Sequence, residues 1–219
     1  QIQKLFANKE PSVGYAYFAK LLAENGNKFV ITTNFDTLIE DALFDYTRTR
    51  PLVCGHESLA SYINLHTGRP TIVKVHRDIL LDPISDEKGV ADMHEQWQKA
   101  LRPILSSFHL IVIGYNGNDG SVMEYLKALK ENRKPIYWCI RGKKELPEKI
   151  KEVLAQNDYV VDIDGFDELV IELCAELGVA IDITKVGIED SEIVKNAKNR
   201  AERFIEQLNE LGKQESEKA

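Results

Sequence analysis

Apolar residues fall into short, nearly continuous runs separated by longer segments of helical period. This alternation predicts an α/β fold with a parallel sheet and covering helices. Residues 28–33, 71–75, 109–114, 135–140 and 159–163 read as strands. Their lack of polar alternation is that of strands buried on both faces. Helices are expected over 13–24, with Ser12 as cap and Gly26 as stop, and over 37–44, 91–105, 121–131, 148–155 and 166–177. Pro103 lacks the N–H that would continue the third of these and is expected to kink it or end it early.

From about Asp190 the period changes. Val194, Ala197, Ala201, Phe204, Leu208 and Leu211 recur at alternating steps of three and four, an a/d stripe. Such a helix docks on its own domain or pairs with a partner chain, and the pattern leaves both open. The chain therefore divides into a domain over 1–183 and a C-terminal amphipathic helix with a charged tail over 184–219.

Composition narrows the picture. With 219 residues the chain has room for one well-cored domain and an appendage, but not comfortably for two. A formal net charge of -7 gives no basic surface to hold a phosphate backbone, so direct nucleic-acid binding is not expected. No apolar run approaches the roughly 20 residues that span a bilayer, and no membrane partner is expected. Cys54, Cys139 and Cys174 form no Cys-x-x-Cys pair, which argues against a zinc ribbon and fits reduced, buried thiols in a cytoplasmic protein. The opening residue is Gln1 and not Met, which points to a fragment or a processed chain.

In open α/β sheets ligands bind beyond the carboxyl ends of the strands. Three predicted strand ends deliver polar residues there: Thr33-Asn34-Phe35-Asp36, His76-Arg77-Asp78, and Gly114-Tyr115-Asn116-Gly117-Asn118-Asp119-Gly120. The glycine-rich turn opens a helix and can bring backbone N–H donors close to phosphates. It is not G-x-G-x-x-G, and Asp119 serves equally as an ordinary helix cap, as Asp36 does for the helix after it. Asn34 places a large amide at the exit of a buried strand, for a ligand or to tie its own loop. His76 titrates near neutrality, as a general base must, or is structural.

His76-Arg77-Asp78 also looks like a kinase catalytic loop, but Pro83 stands where that motif has Asn. His94-Glu95 has no second His four residues on, and no metal is expected.

Taken in order, Ile31-Thr32-Thr33-Asn34-Phe35-Asp36, Lys74-Val75-His76 and Gly114-Tyr115-Asn116-Gly117-Asn118-Asp119 resemble the motif series of bacterial sirtuin-like domains. The helix from Pro11 to Leu22 resembles the segment before the first motif, and the likeness extends to Leu177. The resemblance implies a Rossmann-like fold with NAD as substrate and no metal. It implies hydrolysis of NAD to nicotinamide and ADP-ribose as an effector of antiphage defence, in a homo-oligomer or with a partner such as a helicase-like ATPase.

By position, Asn34 and His76 match the catalytic pair, with His76 as general base. Thr33, Asp36, Gly114, Tyr115, Asn116 and Asp119 match residues around the ribose and phosphates, and Gly165 and Phe166 the adenine end. Relatives have Gly after the histidine, where this chain has Arg77, whose side chain would obstruct the pocket or contact a phosphate. The family's opening strand and glycine-rich turn find no counterpart in the ten residues before Pro11. Two other readings remain: a noncatalytic module that binds NAD or ADP-ribose, and a protein deacylase, against which the absence of a four-cysteine zinc module counts.

Overall fold

The structure is a computed structural model that describes residues 11–24, 26, 28–78, 93, 95–142 and 145–179. Helix α1 (Val13–Glu24) leads to β1 (Phe29–Thr32), α2 (Leu38–Thr47) and β2 (Leu52–Cys54). A 3-10 turn (Glu57–Tyr62) then precedes β3 (Thr71–Lys74), α3 (Glu95–Ser107), β4 (Leu110–Val112) and α4 (Gly120–Ala128). The described chain ends with β5 (Ile136–Arg141), α5 (Glu148–Val153), β6 (Tyr159–Ile163) and α6 (Phe166–Glu176). The C-terminal stripe and the whole of 184–219 lie outside the described residues.

The strands form two three-stranded sheets, ordered β1-β3-β2 and β4-β5-β6, and every ladder is parallel. Alternation along each strand sends its side chains to opposite faces. In β3, Ile72 joins Val30, Ala19, Leu22, Ala42 and Leu43 beneath α1 and α2. Its neighbour Val73 joins Trp97, Leu101, Leu105, Leu126, Ile136, Trp138 and Val153 beneath α3, α4 and α5. Each such fully buried aliphatic side chain contributes roughly 1.5–3 kcal/mol. The result is a Rossmann-like α/β fold with helices on both faces, as the resemblance implies, though among the described residues the strands form two parallel sheets and not one.

Several local expectations change. Ser12 stands at the cap position, where its carbonyl accepts the Tyr15 N–H at 3.1 Å, but its side chain does not supply the cap. Its hydroxyl donates to Oδ1 of Asp167, which also accepts the Gly14 N–H at 3.2 Å, so a carboxylate from α6 caps α1. Gly14 is needed there, since a Cβ would lie 2.7 Å from the Asp167 Cα. Helix α3 runs through Pro103 to Ser107. Pro103 is exposed, while Trp97, Leu101, Ile104 and Leu105 on the buried stripe hold the helix together on either side of it.

Strand β2 and the 3-10 turn are additions that the pattern did not predict. Nor are all strands buried on both faces: β6 is an edge strand with Tyr159 and Val160 exposed, and Ile111 in β4 is 47% exposed. No helix among the described residues is long and apolar enough to cross a membrane.

Candidate functional site

Among the described residues β1 and β4 are edge strands, one of each sheet, and they flank a cavity of about 770 Å3. Val30 to Asn34 line one side and Leu110 to Tyr115 the other. Tyr15, Phe18 and Phe166 close it from α1 and α6, and Leu101, Leu105, Val122 and Leu126 from α3 and α4. This volume lies within the range of about 300–1,000 Å3 typical of pockets for small molecules and cofactors.

Thr33, Asn34, Gly114, Tyr115, Gly165 and Phe166 all line this cavity, so the structure brings together the exits of β1, β4 and β6. Asn34 is exposed, and its backbone N–H is held at 3.0 Å by the Thr32 hydroxyl. Gly114 has φ +68, the left-handed region that favours glycine, where the chain leaves β4. Phe166 packs its ring on Tyr15 and Phe18, with centroids 5.1 and 5.8 Å away.

Asp36, His76, Asn116 and Asp119 do not line the cavity. Asp36 accepts the Leu38 N–H at 3.2 Å at the start of α2. Asp119 caps α4, accepting the Val122 N–H at 2.9 Å, and its other oxygen accepts the Tyr115 hydroxyl at 2.6 Å. Nε2 of His76 lies 3.9 Å from Oδ1 of Asp119 and is a buried atom with no hydrogen-bond partner among the described residues. His76 thus lies behind the cavity wall, beside the Asp119 carboxylate that holds Tyr115 but not bonded to it. Burial lowers its pKa from 6.5, against the opposing pull of Asp119. The imidazole is therefore neutral, and able to accept a proton, at neutral pH. Burial raises the Tyr115 phenol, and its bond to Asp119 raises it further, so Tyr115 keeps its proton.

Arg77 does not line the cavity. Its guanidinium grips Glu57 with two bonds, Nε to Oε2 at 3.0 Å and a terminal nitrogen to Oε1 at 2.7 Å. Burial pushes the Glu57 carboxyl up, but Arg77, a backbone N–H and the nearby His56 together more than reverse this and leave it lowered. The Arg77 backbone has φ +68, which explains why glycine suits this position.

Two cations have no role in the sequence expectations, although Lys74 opens one of the quoted motifs. Arg141, at the end of β5, is the one basic residue on the cavity wall among the described residues. Lys74, the last residue of β3, is 1% exposed and is surrounded by oxygen acceptors. A lysine inside the apolar run Thr71-Ile72-Val73-Lys74-Val75 was the available signal for it.

The chain belongs to the SIR2-like domain family, whose profile matches residues 28–162. The match includes the exits of β1, β3 and β4, and stops short of Gly165 and Phe166. SIR2-like domains are generally NAD-dependent enzymes that consume NAD as a substrate. No curated protein matches the chain.

Proposed function

We propose that this domain hydrolyses NAD to nicotinamide and ADP-ribose, as an effector of antiphage defence working within an oligomer or with a helicase-like partner. The observation that carries the catalytic reading is the convergence of Asn34, Gly114 and Tyr115 on one cavity, with the neutral His76 set behind its wall, 3.9 Å from the Asp119 carboxylate that accepts the Tyr115 hydroxyl.

In this reading the cavity holds the dinucleotide with the nicotinamide ribose near Asn34. The Gly114 turn meets the phosphates by backbone approach, and Arg141 supplies positive charge. The bond between ribose C1′ and the pyridinium nitrogen breaks, and its electron pair leaves with neutral nicotinamide. A water oriented by the Asn34 amide adds to the oxocarbenium-like C1′. The proton that this water loses is relayed through the Tyr115 hydroxyl and the Asp119 carboxylate to the His76 imidazole, once the 3.9 Å gap between Asp119 and His76 closes, and then to solvent, so one NAD and one water give nicotinamide, ADP-ribose and a proton. Neither the bond cleavage nor the addition of water needs a redox partner.

A second reading draws on the fact that His76 does not itself line the cavity: a noncatalytic module that binds NAD or ADP-ribose. Incubation of the full-length protein with NAD, following nicotinamide by chromatography, separates the two. Release that falls by at least about a hundredfold in His76→Ala supports hydrolysis with His76 as base. Undiminished release in that variant removes His76 from the mechanism, and NAD binding without release by the native protein replaces hydrolysis with binding.

A further inference from the structure

We propose that Lys74 is a positioning residue that locks the Asn34 loop and the His76 loop into one rigid unit. The inference rests on the hydrolase reading for its kinetic consequence, but not for its structural one.

An ammonium group has three donors and no acceptor, and it tolerates burial when all three find partners. Nζ of Lys74 meets three oxygens, each at 2.7 Å: the backbone carbonyl of Asp36, Oδ2 of Asp78 and Oε1 of Glu40. These acceptors belong to different parts of the site. Asp36 is two residues beyond Asn34, Asp78 is two residues beyond His76, and Glu40 lies in the first turn of α2.

The bond to a backbone carbonyl distinguishes this arrangement from a simple ion pair, because it fixes where the main chain of the Asn34 loop runs. The Asp78 loop is anchored from its other side by its own N–H, which donates to the Gly55 carbonyl at 2.8 Å. Burial alone lowers the Lys74 pKa, but the bonds from Asp78 and Glu40 more than reverse this, so the group stays charged. One cation serves two carboxylates, and Glu40, where burial dominates, is left raised.

A residue that only stabilised the fold would not have to bridge these two loops. A positioning residue changes turnover more than affinity, because a small misplacement of reacting groups costs on the order of a hundredfold in rate.

The test compares Lys74→Met and Lys74→Arg with the native full-length protein in three measurements: nicotinamide release, NAD affinity by calorimetry, and amide hydrogen exchange. For Lys74→Met we expect kcat to fall on the order of a hundredfold with KM and NAD affinity changed by no more than about threefold. Exchange should accelerate together at Leu38, capped by Asp36, and at Asp78, while Trp138 in β5 stays as protected as in the native protein. Lys74→Arg, which keeps the charge but spreads its donors, should recover part of both losses.

Unchanged exchange at Leu38 and Asp78 overturns the proposal, as does a loss of turnover that only follows a loss of folded protein. If Lys74→Met does not fold, the same two readings on Lys74→Arg decide: acceleration confined to the two loops supports the lock, and native exchange refutes it. If the native protein releases no nicotinamide, the hydrolase reading fails, and the lock is judged on exchange alone.

Discussion

Two cations are buried to the same extent at opposite ends of the parallel strands, and their surroundings differ. At the amino ends of β5 and β6, the side chain of Arg133 is 1% exposed and that of Asp158 is fully buried. Arg133 holds both Asp158 oxygens, at 2.8 and 2.6 Å, and also the Val153 carbonyl at 3.1 Å. Asp158 in turn accepts the N–H groups of Ile136 and Ala155 at 2.8 and 2.7 Å. Every partner is a piece of scaffold. At the carboxyl end of β3, Lys74 instead reaches the loops that follow Asn34 and His76. Similar burial thus serves the fold at one end of the sheets and the site at the other. Which role a buried charge has is read from what it is bonded to, not from how deep it lies.

The comparison breaks most decisively at the scaffold end. Asp158→Ala leaves Arg133 buried without its counter-ion and should cost about 3–5 kcal/mol, seen in the denaturant midpoint. Turnover per folded molecule should not change; a large fall in turnover at full folding would erase the distinction between the ends. The same pair gives an acid signature. Burial pushes the Asp158 carboxyl up, but Arg133 and the two backbone N–H groups leave it lowered. Its contribution to stability is therefore complete above the ordinary carboxylate pKa of 3.8 and is lost as pH falls through the depressed folded value.

At the site end the expected effects are on rate. Because burial lowers the His76 pKa, the base form persists below 6.5, and the acid limb of kcat/KM should have its midpoint below that value. Beneath the midpoint the rate should drop about tenfold per pH unit. A midpoint above 6.5 would mean that another group titrates in that limb. Tyr115→Phe removes the hydroxyl bond to Asp119 but leaves the α4 cap intact, and should cost about 1 kcal/mol by urea unfolding.

The smallest change is expected at Arg77→Gly. Loss of the Glu57 grip is offset by relief of a left-handed backbone that costs a side-chain-bearing residue about 1–2 kcal/mol, for a net change within about 1 kcal/mol.

The sequence made much of the fold legible where the physics is local. The 13–24 helix and the 159–163 strand were predicted at their observed bounds, because periodicity and flanking polar residues mark both ends. Strand β2 has three residues between Pro51 and Gly55, too few for any period to register. Division of the strands into two sheets depends on long-range pairing, which no local pattern encodes. Within the site, Asn34 and the Gly114 turn could be placed because topology sends strand ends to one edge. The tie from Arg77 to Glu57 could not, since it joins residues 20 apart through a turn that was itself unpredicted. Lys74 stood in plain view inside an apolar run, but its partners are set by tertiary approach alone.

The contact between Tyr115 and Trp138, ring centroids 5.9 Å apart, gives the protein a built-in optical reporter. The chain has two tryptophans: Trp138 has its ring against Tyr115 of the cavity wall, and Trp97 lies within α3 among other core residues. With Trp97→Phe the remaining emission comes from an indole in the core whose neighbour meets the contents of the cavity. A molecule entering the cavity and shifting the Tyr115 ring then changes the colour and yield of that emission, so occupancy is read as light without any added label.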